Sequence, residues 1–252
     1  LFIITVAINY LSTFGVIFPN TQEQISDMHA NLLAPAGFTF SIWGLIYLGV
    51  IANFIVPHLK KMSSEFVTFY YNEVMPAFNL WMIFNIIWIV SWSYDKIIIS
   101  LIAIILYTIS LIRLVGILDS RRDLSFESPW LFLFPIGLHT GWLTFASFTN
   151  VMTLMVKYGF DAFSQTGVIV TIVLMVLAVI AVLALFMKYD NAFITVPALW
   201  ALFGIFMKQR SGSDYEFANK NIAIAAVVLF VIALIAHFII LKKHRDNRPL
   251  HA

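Results

Sequence analysis

The sequence predicts an all-α fold, a polytopic membrane helical bundle of about eight transmembrane helices. Composition is the first reason. The chain is 61% hydrophobic and 11% charged, with mean hydropathy +0.92, whereas a soluble domain carries about 25% charge. Run length is the second. Several stretches stay apolar for about 20 residues, enough for a helix to cross about 30 Å of hydrocarbon. A membrane β-barrel would alternate apolar and polar positions, and these runs are continuous.

The first span covers residues 1–18. It has no basic n-region and no small-residue cleavage site, so it reads as a retained helix, and the opening on Leu1 reads as a start that lacks its natural first residues. The following loop, 19–36, begins with Thr21-Gln-Glu-Gln24, a capping box with Thr21 as N-cap and Gln24 reaching back. Ile25, Met28 and Leu32 then share a face. A short amphipathic helix here either lies over the mouth of the bundle as a lid or packs on lipid headgroups.

The remaining spans fall at 37–57, 75–93, 96–118, 129–155, 165–187, 191–207 and 220–241. Ser93-Tyr94-Asp95 and Lys188-Tyr189-Asp190 make two tight antiparallel turns. The 191–207 span is short and holds Pro197, which predicts a kink or tilt. The polar stretch from Tyr158 to Gln165 reads as a seam. It divides a five-helix core with its lid loop, residues 1–155, from a three-helix extension, 156–252, with a basic tail from Lys242 to Arg248.

Charge placement predicts orientation. Lys60, Lys61, Arg113, Arg121, Arg122, Lys188, Lys242, Lys243, Arg245 and Arg248 fall on the side of both termini. Lys96, Lys157, Lys208, Arg210 and Lys220 fall on the other. The positive-inside rule then puts both termini in the cytoplasm, and the chain reads as an integral protein of a bacterial cytoplasmic membrane.

The same composition removes several function classes. A net charge of +2, with no basic stripe outside the spans, gives no nucleic-acid partner. With no cysteine there is no disulfide, thiolate metal site or cysteine nucleophile. No HExxH, GxSxG or phosphate-cradling glycine loop occurs. Carboxylates are absent from the span centres, which weakens proton-coupled transport.

Three helices carry aromatic and polar stripes. Phe40, Trp43 and Tyr47 share a face of the second span. Trp81, Asn85, Trp88 and Trp92 follow spacings of one helical turn each along the third. His139, Trp142, Ala146 and Asn150 do the same along the fifth. Each stripe has a plainer reading: interfacial belt or packing for the tryptophans, and interhelical hydrogen bonding for Asn85. A membrane-buried His is a functional signal by default. His139 has no His, Glu or Cys at ligand spacing on its helix, so it reads as a satisfied structural residue before a metal or haem ligand. If the three faces meet, they line an aromatic pocket within the bilayer.

On these residues the chain resembles the translocator protein / tryptophan-rich sensory protein family (TspO). The carriers are Pro35 leading to Trp43-Gly-Leu-Ile-Tyr47, then Asn85-Ile-Ile-Trp88, then Trp142 with Ala146 and Asn150. The resemblance covers about residues 1–155. It implies a five-helix unit and a pocket on the first-loop side, binding a tetrapyrrole (porphyrin or haem-like) or a sterol-like hydrophobe. Taken with the three stripes, this makes Phe40, Trp43, Tyr47, Trp81, Asn85, Trp88, His139, Trp142, Ala146 and Asn150 the candidate ligand-binding residues. No cofactor is required, and porphyrin or haem enters as ligand.

Membrane lipid and a hydrophobic small molecule are the expected partners. The resemblance also implies a homodimer, for which the small-residue face of Gly137 and Gly141 offers a seam. Some family members promote light-dependent porphyrin breakdown, which would involve Trp43 and Trp142; no residue set here otherwise activates a nucleophile. The three helices after Gln165 have no counterpart in the five-helix family and read as an extended branch. A small-solute transporter or channel, and a scaffold that docks a partner through the extra helices, are the alternatives to a sensory or translocating ligand-binding protein.

Overall fold

The computed structural model describes residues 1–59, 62–125 and 129–247. Lys60, Lys61 and Arg248, counted in the charge distribution, lie outside the described residues. The described chain runs α1 (Phe2–Thr13), α2 (Gln22–Met28), a 3-10 turn (Gly37–Ser41), α3 (Ile42–Leu59), α4 (Ser64–Phe69), a π turn (Tyr70–Val74) and α5 (Met75–Ser93). It continues with α6 (Ile97–Ser120), α7 (Arg122–Ser125), α8 (Pro129–Lys157), α9 (Gln165–Tyr189), a 3-10 turn (Ala192–Ile194), α10 (Val196–Gln209) and α11 (Lys220–Asp246).

Among the described residues, seven helical segments are long and apolar enough to cross a membrane. The expected first span is shorter than the sequence suggests: α1 has 12 residues. It ends where Gly15 takes φ +62° and the chain turns toward Pro19. Its buried polar residues, Thr5, Asn9 and Ser12, face the bundle. The third span is longer than expected, because α4, the π turn and α5 form one segment from Ser64 to Ser93. Pro76 lacks the N–H that would bond back one turn, and the widened turn just before it absorbs the mismatch.

Two other prolines lie inside membrane helices, Pro57 in α3 and Pro135 in α8. Each leaves the carbonyl four residues earlier without its intrahelical donor, and in hydrocarbon no water can replace it. Neighbouring helices supply the missing donors. The Tyr70 hydroxyl donates to the Asn53 carbonyl at 3.0 Å, and the Asn53 side-chain amide donates to the Leu131 carbonyl. A Cβ on Gly49 would sit 2.3 Å from Pro135 Cβ, so α3 and α8 approach there more closely than a side chain on Gly49 would allow.

The last expected kink is instead a break. Pro197 sits in the first turn of α10, where its fixed φ is favourable. The segment splits into a 3-10 turn and a 14-residue helix. Both tight turns between spans close on an aspartate in the left-handed region, Asp95 at φ 55° and Asp190 at φ 44°.

Contacts sort the loops into two ends as the charge pattern requires. At one end His29, Asp95 and Lys157 pair. At the other, Arg122 pairs with Asp119 and Asp190.

The C-terminal helices are built into the bundle. The seam of Gly137 and Gly141 is filled by the chain itself, so it offers no face to a second copy. A Cβ on Gly141 would sit 2.0 Å from the Ile194 carbonyl oxygen, and one on Gly137 would sit 2.8 Å from Phe193 Cβ and Asn191 Oδ1. The Asn191 amide donates to the Leu133 carbonyl at 2.9 Å.

Candidate aromatic chamber

The three stripes meet. Trp43 of α3 lies 6.3 Å from Trp88 of α5 and 6.4 Å from Trp142 of α8, measured between ring centroids. Phe40, at the end of the 3-10 turn, packs edge-on against Trp142 at 5.9 Å. The Trp88 indole N–H donates to Asn150 Oδ1 at 3.4 Å, and the Asn150 amide donates to the Ala146 carbonyl at 3.0 Å. Together these residues enclose a chamber of about 60 Å³. Of the residues expected to bind ligand, Phe40, Trp43, Trp88, Trp142, Ala146 and Asn150 line it.

The other four lie elsewhere. Tyr47 stacks on Trp43 at 5.5 Å but lines a neighbouring cleft. Trp81, Asn85 and His139 line neither space; all three are fully buried deeper in the bundle. Asn85 receives a hydrogen bond from Asn9 of α1 at 2.5 Å and donates to the Tyr107 hydroxyl of α6 at 3.3 Å. Tyr107 in turn meets His139 Nε2 at 2.5 Å. Trp81 stacks on Tyr107 at 5.7 Å and abuts the His139 ring edge-on at 5.0 Å. The sequence therefore places Asn85 and His139 correctly on inward faces, while the structure gives them to a polar chain that ties α1, α5, α6 and α8. The Nδ1 of His139 and the indole N–H of Trp81 have no hydrogen-bond partner among the described residues.

Several lining residues fall outside the expected ligand-binding set, although one of them, Trp92, stands in a stripe the sequence singles out. Trp92 belongs to the third-span stripe, and its indole N–H donates to the Gln22 carbonyl at 3.2 Å. Gln22 and Ser26 come from α2, and Thr149 and Thr153 continue the α8 face beyond Trp142. Spacing from Trp142 could have found the threonines; nothing local signals the two α2 residues.

The roof is the loop and helix between α1 and α3. The expected capping box is present: the Thr21 side chain accepts from Gln24 N, and Gln24 Oε1 accepts from Thr21 N at 2.8 Å. Ile25 is buried, whereas Met28 is exposed, so the helix rests on one side chain rather than a continuous stripe. His29 Nε2 lies 2.7 Å from Asp95 Oδ1, and Lys157 Nζ lies 2.6 Å from Asp95 Oδ2. Partial burial pushes the Asp95 carboxyl up, but hydrogen bonds and charge from Lys157 and His29 outweigh it and hold it below the usual carboxylate range. Asn31 Oδ1 then accepts from the N–H groups of Leu33 and Ala34, both at 3.0 Å, which folds the loop back over the bundle.

Helix α10 clamps this roof from the side. The Ala36 N–H donates to the Gly204 carbonyl at 3.2 Å, and the Trp200 indole donates to the Thr39 carbonyl at 2.9 Å. Gln209, fully buried, donates to the Leu32 carbonyl at 3.4 Å. A Cβ on Gly204 would sit 2.1 Å from Thr39 Cγ2, so this approach needs glycine. Phe40 thus reaches the chamber from a segment held by α10.

No three His, Asp or Glu side chains cluster as metal ligands among the described residues. The chamber's chemistry is aromatic walls with two amide-bearing residues, Gln22 and Asn150, and small hydroxyl groups. Such walls suit a flat apolar molecule, and the few polar groups suit its orientation.

A family model described as TSPO-like protein matches residues 1–239. The match runs through α9, α10 and most of α11. The helices expected to form an extension beyond the family therefore lie within what it describes. No curated protein and no solved structure matches the chain.

Proposed function

Since the chain belongs to the TSPO-like protein family and is an integral membrane protein with seven apolar spans, we propose that it binds a planar hydrophobic ligand of the tetrapyrrole class in the aromatic chamber, and senses or passes on that ligand. One observation carries this reading. The indole rings of Trp88 on α5 and Trp142 on α8 each lie within 6.4 Å of the Trp43 ring on α3, and all three line one internal space. Scattered belt tryptophans would point to the headgroups instead. Each ring stacked on a macrocycle adds roughly 0.5–1.5 kcal/mol beyond the area it buries.

Volume sets the mechanism. Ligand pockets for molecules of this size hold about 300–1,000 Å³, and the chamber holds about 60 Å³. Entry therefore requires the roof to lift. The parts that move are α2, the Asn31 turn and Phe40; the parts that resist are the Asp95 pairs and the α10 contacts. Ligand binding is thereby coupled to the position of the roof, which is the form a sensor takes.

Protoporphyrin titration followed by tryptophan quenching, with the chain in lipid nanodiscs, tests the reading. Saturable quenching is expected, with affinity lowered about tenfold in Trp142→Leu, the loss of about 1.4 kcal/mol. Phe238→Leu, on an exposed face of α11, should bind as the parent does. Non-saturable quenching, or equal affinity in all three proteins, overturns it.

A further inference from the structure

We propose that the cleft between α1 and α3 is a second site, entered sideways from the bilayer, for a single-chain amphiphile with a cationic amine head. This goes beyond the chamber reading and stands on a neighbouring cavity, which shares Gln22, Phe40 and Trp43 with the chamber.

The cleft holds about 470 Å³, within the range of ligand sites. Its aromatic walls are Tyr10 and Phe14 on one side and Phe40, Trp43 and Tyr47 on the other. Helices α1 and α3 touch through Phe2 stacked on Phe54 at 4.1 Å. Toward the loop end they part. Gly44 marks the gap: a Cβ there would meet no atom within 4 Å, unlike the close-packed Gly49 on the same helix. Tyr10 and Phe14 line the cleft yet are 65% and 61% exposed, so its mouth faces the hydrocarbon around the bundle.

An apolar tail alone gains nothing by leaving lipid for such a cleft, because the two environments are equally apolar. Selection must come from the rim. There Thr13, Thr21, Gln22 and Glu23 are gathered, and among the described residues Glu23 is the one carboxylate that lines the cleft, with no Lys, Arg or His beside it in the lining. Its carboxylate reaches over the 3-10 turn, 3.6 Å from the Cβ position of Gly37. It forms no ion pair among the described residues; its nearest structural role is in the first turn of α2. An anionic head would be repelled here. A cationic head would meet the carboxylate and the faces of aromatic rings, two favourable interactions for an ammonium group. From Thr13 to Val6 the cleft follows α1 for about 10 Å at about 1.5 Å per residue, a path for an alkyl chain.

The test uses the full chain in phosphatidylcholine nanodiscs and a long-chain primary alkylamine that carries a diazirine in its tail. The same chain ending in a carboxylic acid is the comparison. After photolysis, labelled residues are mapped by mass spectrometry. The expected result is amine labelling concentrated within residues 6–14 and 40–47, abolished by Gly44→Leu and lowered about fivefold by Glu23→Gln, the loss of about 1 kcal/mol of exposed charge interaction. The acid should label these segments no more than it labels α9 and α11. Even labelling over all lipid-facing helices, indifference to Gly44→Leu, or equal labelling by amine and acid overturns the proposal. Protoporphyrin titration of Gly44→Leu shows that the fold and chamber are intact, so failure at the cleft is distinguishable from failure of the chamber.

Discussion

Trp43 touches most of what matters here: Tyr47, Trp88, His139 and Trp142 all pack on its ring. The residues below it do different work. Asn9 and Asn85 form a buried interhelical pair, and such pairs contribute about 0.6 kcal/mol within a membrane. An Asn9→Ala, Asn85→Ala double-mutant cycle is expected to give a coupling of about that size, read by reversible unfolding in mixed micelles, with porphyrin affinity little changed. Tyr70→Phe removes the donor that replaces Pro57's missing N–H. It leaves a buried carbonyl unpaired and should cost about 1–3 kcal/mol in the same measurement. The stripes of Trp43, Trp88 and Trp142 were legible because i, i+3 and i+4 spacing reports which face turns inward. That spacing carries no information about depth. Trp81, Asn85 and His139 continue the same faces past the point where the space closes, and so they joined the polar chain rather than the chamber.

Among the elements, α2 shows how far local pattern reaches. Its capping box depends on four consecutive residues and was readable from them. What holds the helix down depends on Asp95 and Lys157, far along the chain, and no local signal announces either. Because the Asp95 carboxyl is held below the usual range, its pairing contributes fully above the ordinary carboxylate value of about 3.9 and is lost as pH falls through the depressed one. Hydrogen exchange of residues 22–34 is therefore expected to rise only as pH drops below about 4. Asp95→Asn should raise it already at neutral pH; unchanged exchange in that variant would show that the pairs do not hold the roof. The same lesson in reverse explains the third span. The span expected at 75–93 begins beside Pro76, and the π turn lets the helix continue back to Ser64.

At the scale of the whole molecule, α9 to α11 are structural partners of the chamber. Asn191, the 3-10 turn at Ala192–Ile194 and Pro197 fill the Gly137–Gly141 seam, and α10 holds the roof through Trp200, Gly204 and Gln209. Gly204→Leu would drive a side chain into Thr39 and Pro35. It should displace Phe40 and weaken porphyrin binding about tenfold, 1.4 kcal/mol, although Gly204 does not line the chamber. The helical bundle was legible and the span count nearly so, since hydropathy acts over whole segments; the expected first span proved to be a helix of 12 residues, which leaves seven candidate spans among the described residues. The clamp was not legible, because it depends on backbone contacts between segments some 160 residues apart in sequence. The most direct measurement is a density map of the full chain with protoporphyrin added. The account predicts a planar macrocycle between Trp43, Trp88 and Trp142, with α2 and Phe40 displaced outward; a macrocycle bound elsewhere, or the three indoles closed on one another at saturating ligand, would contradict it.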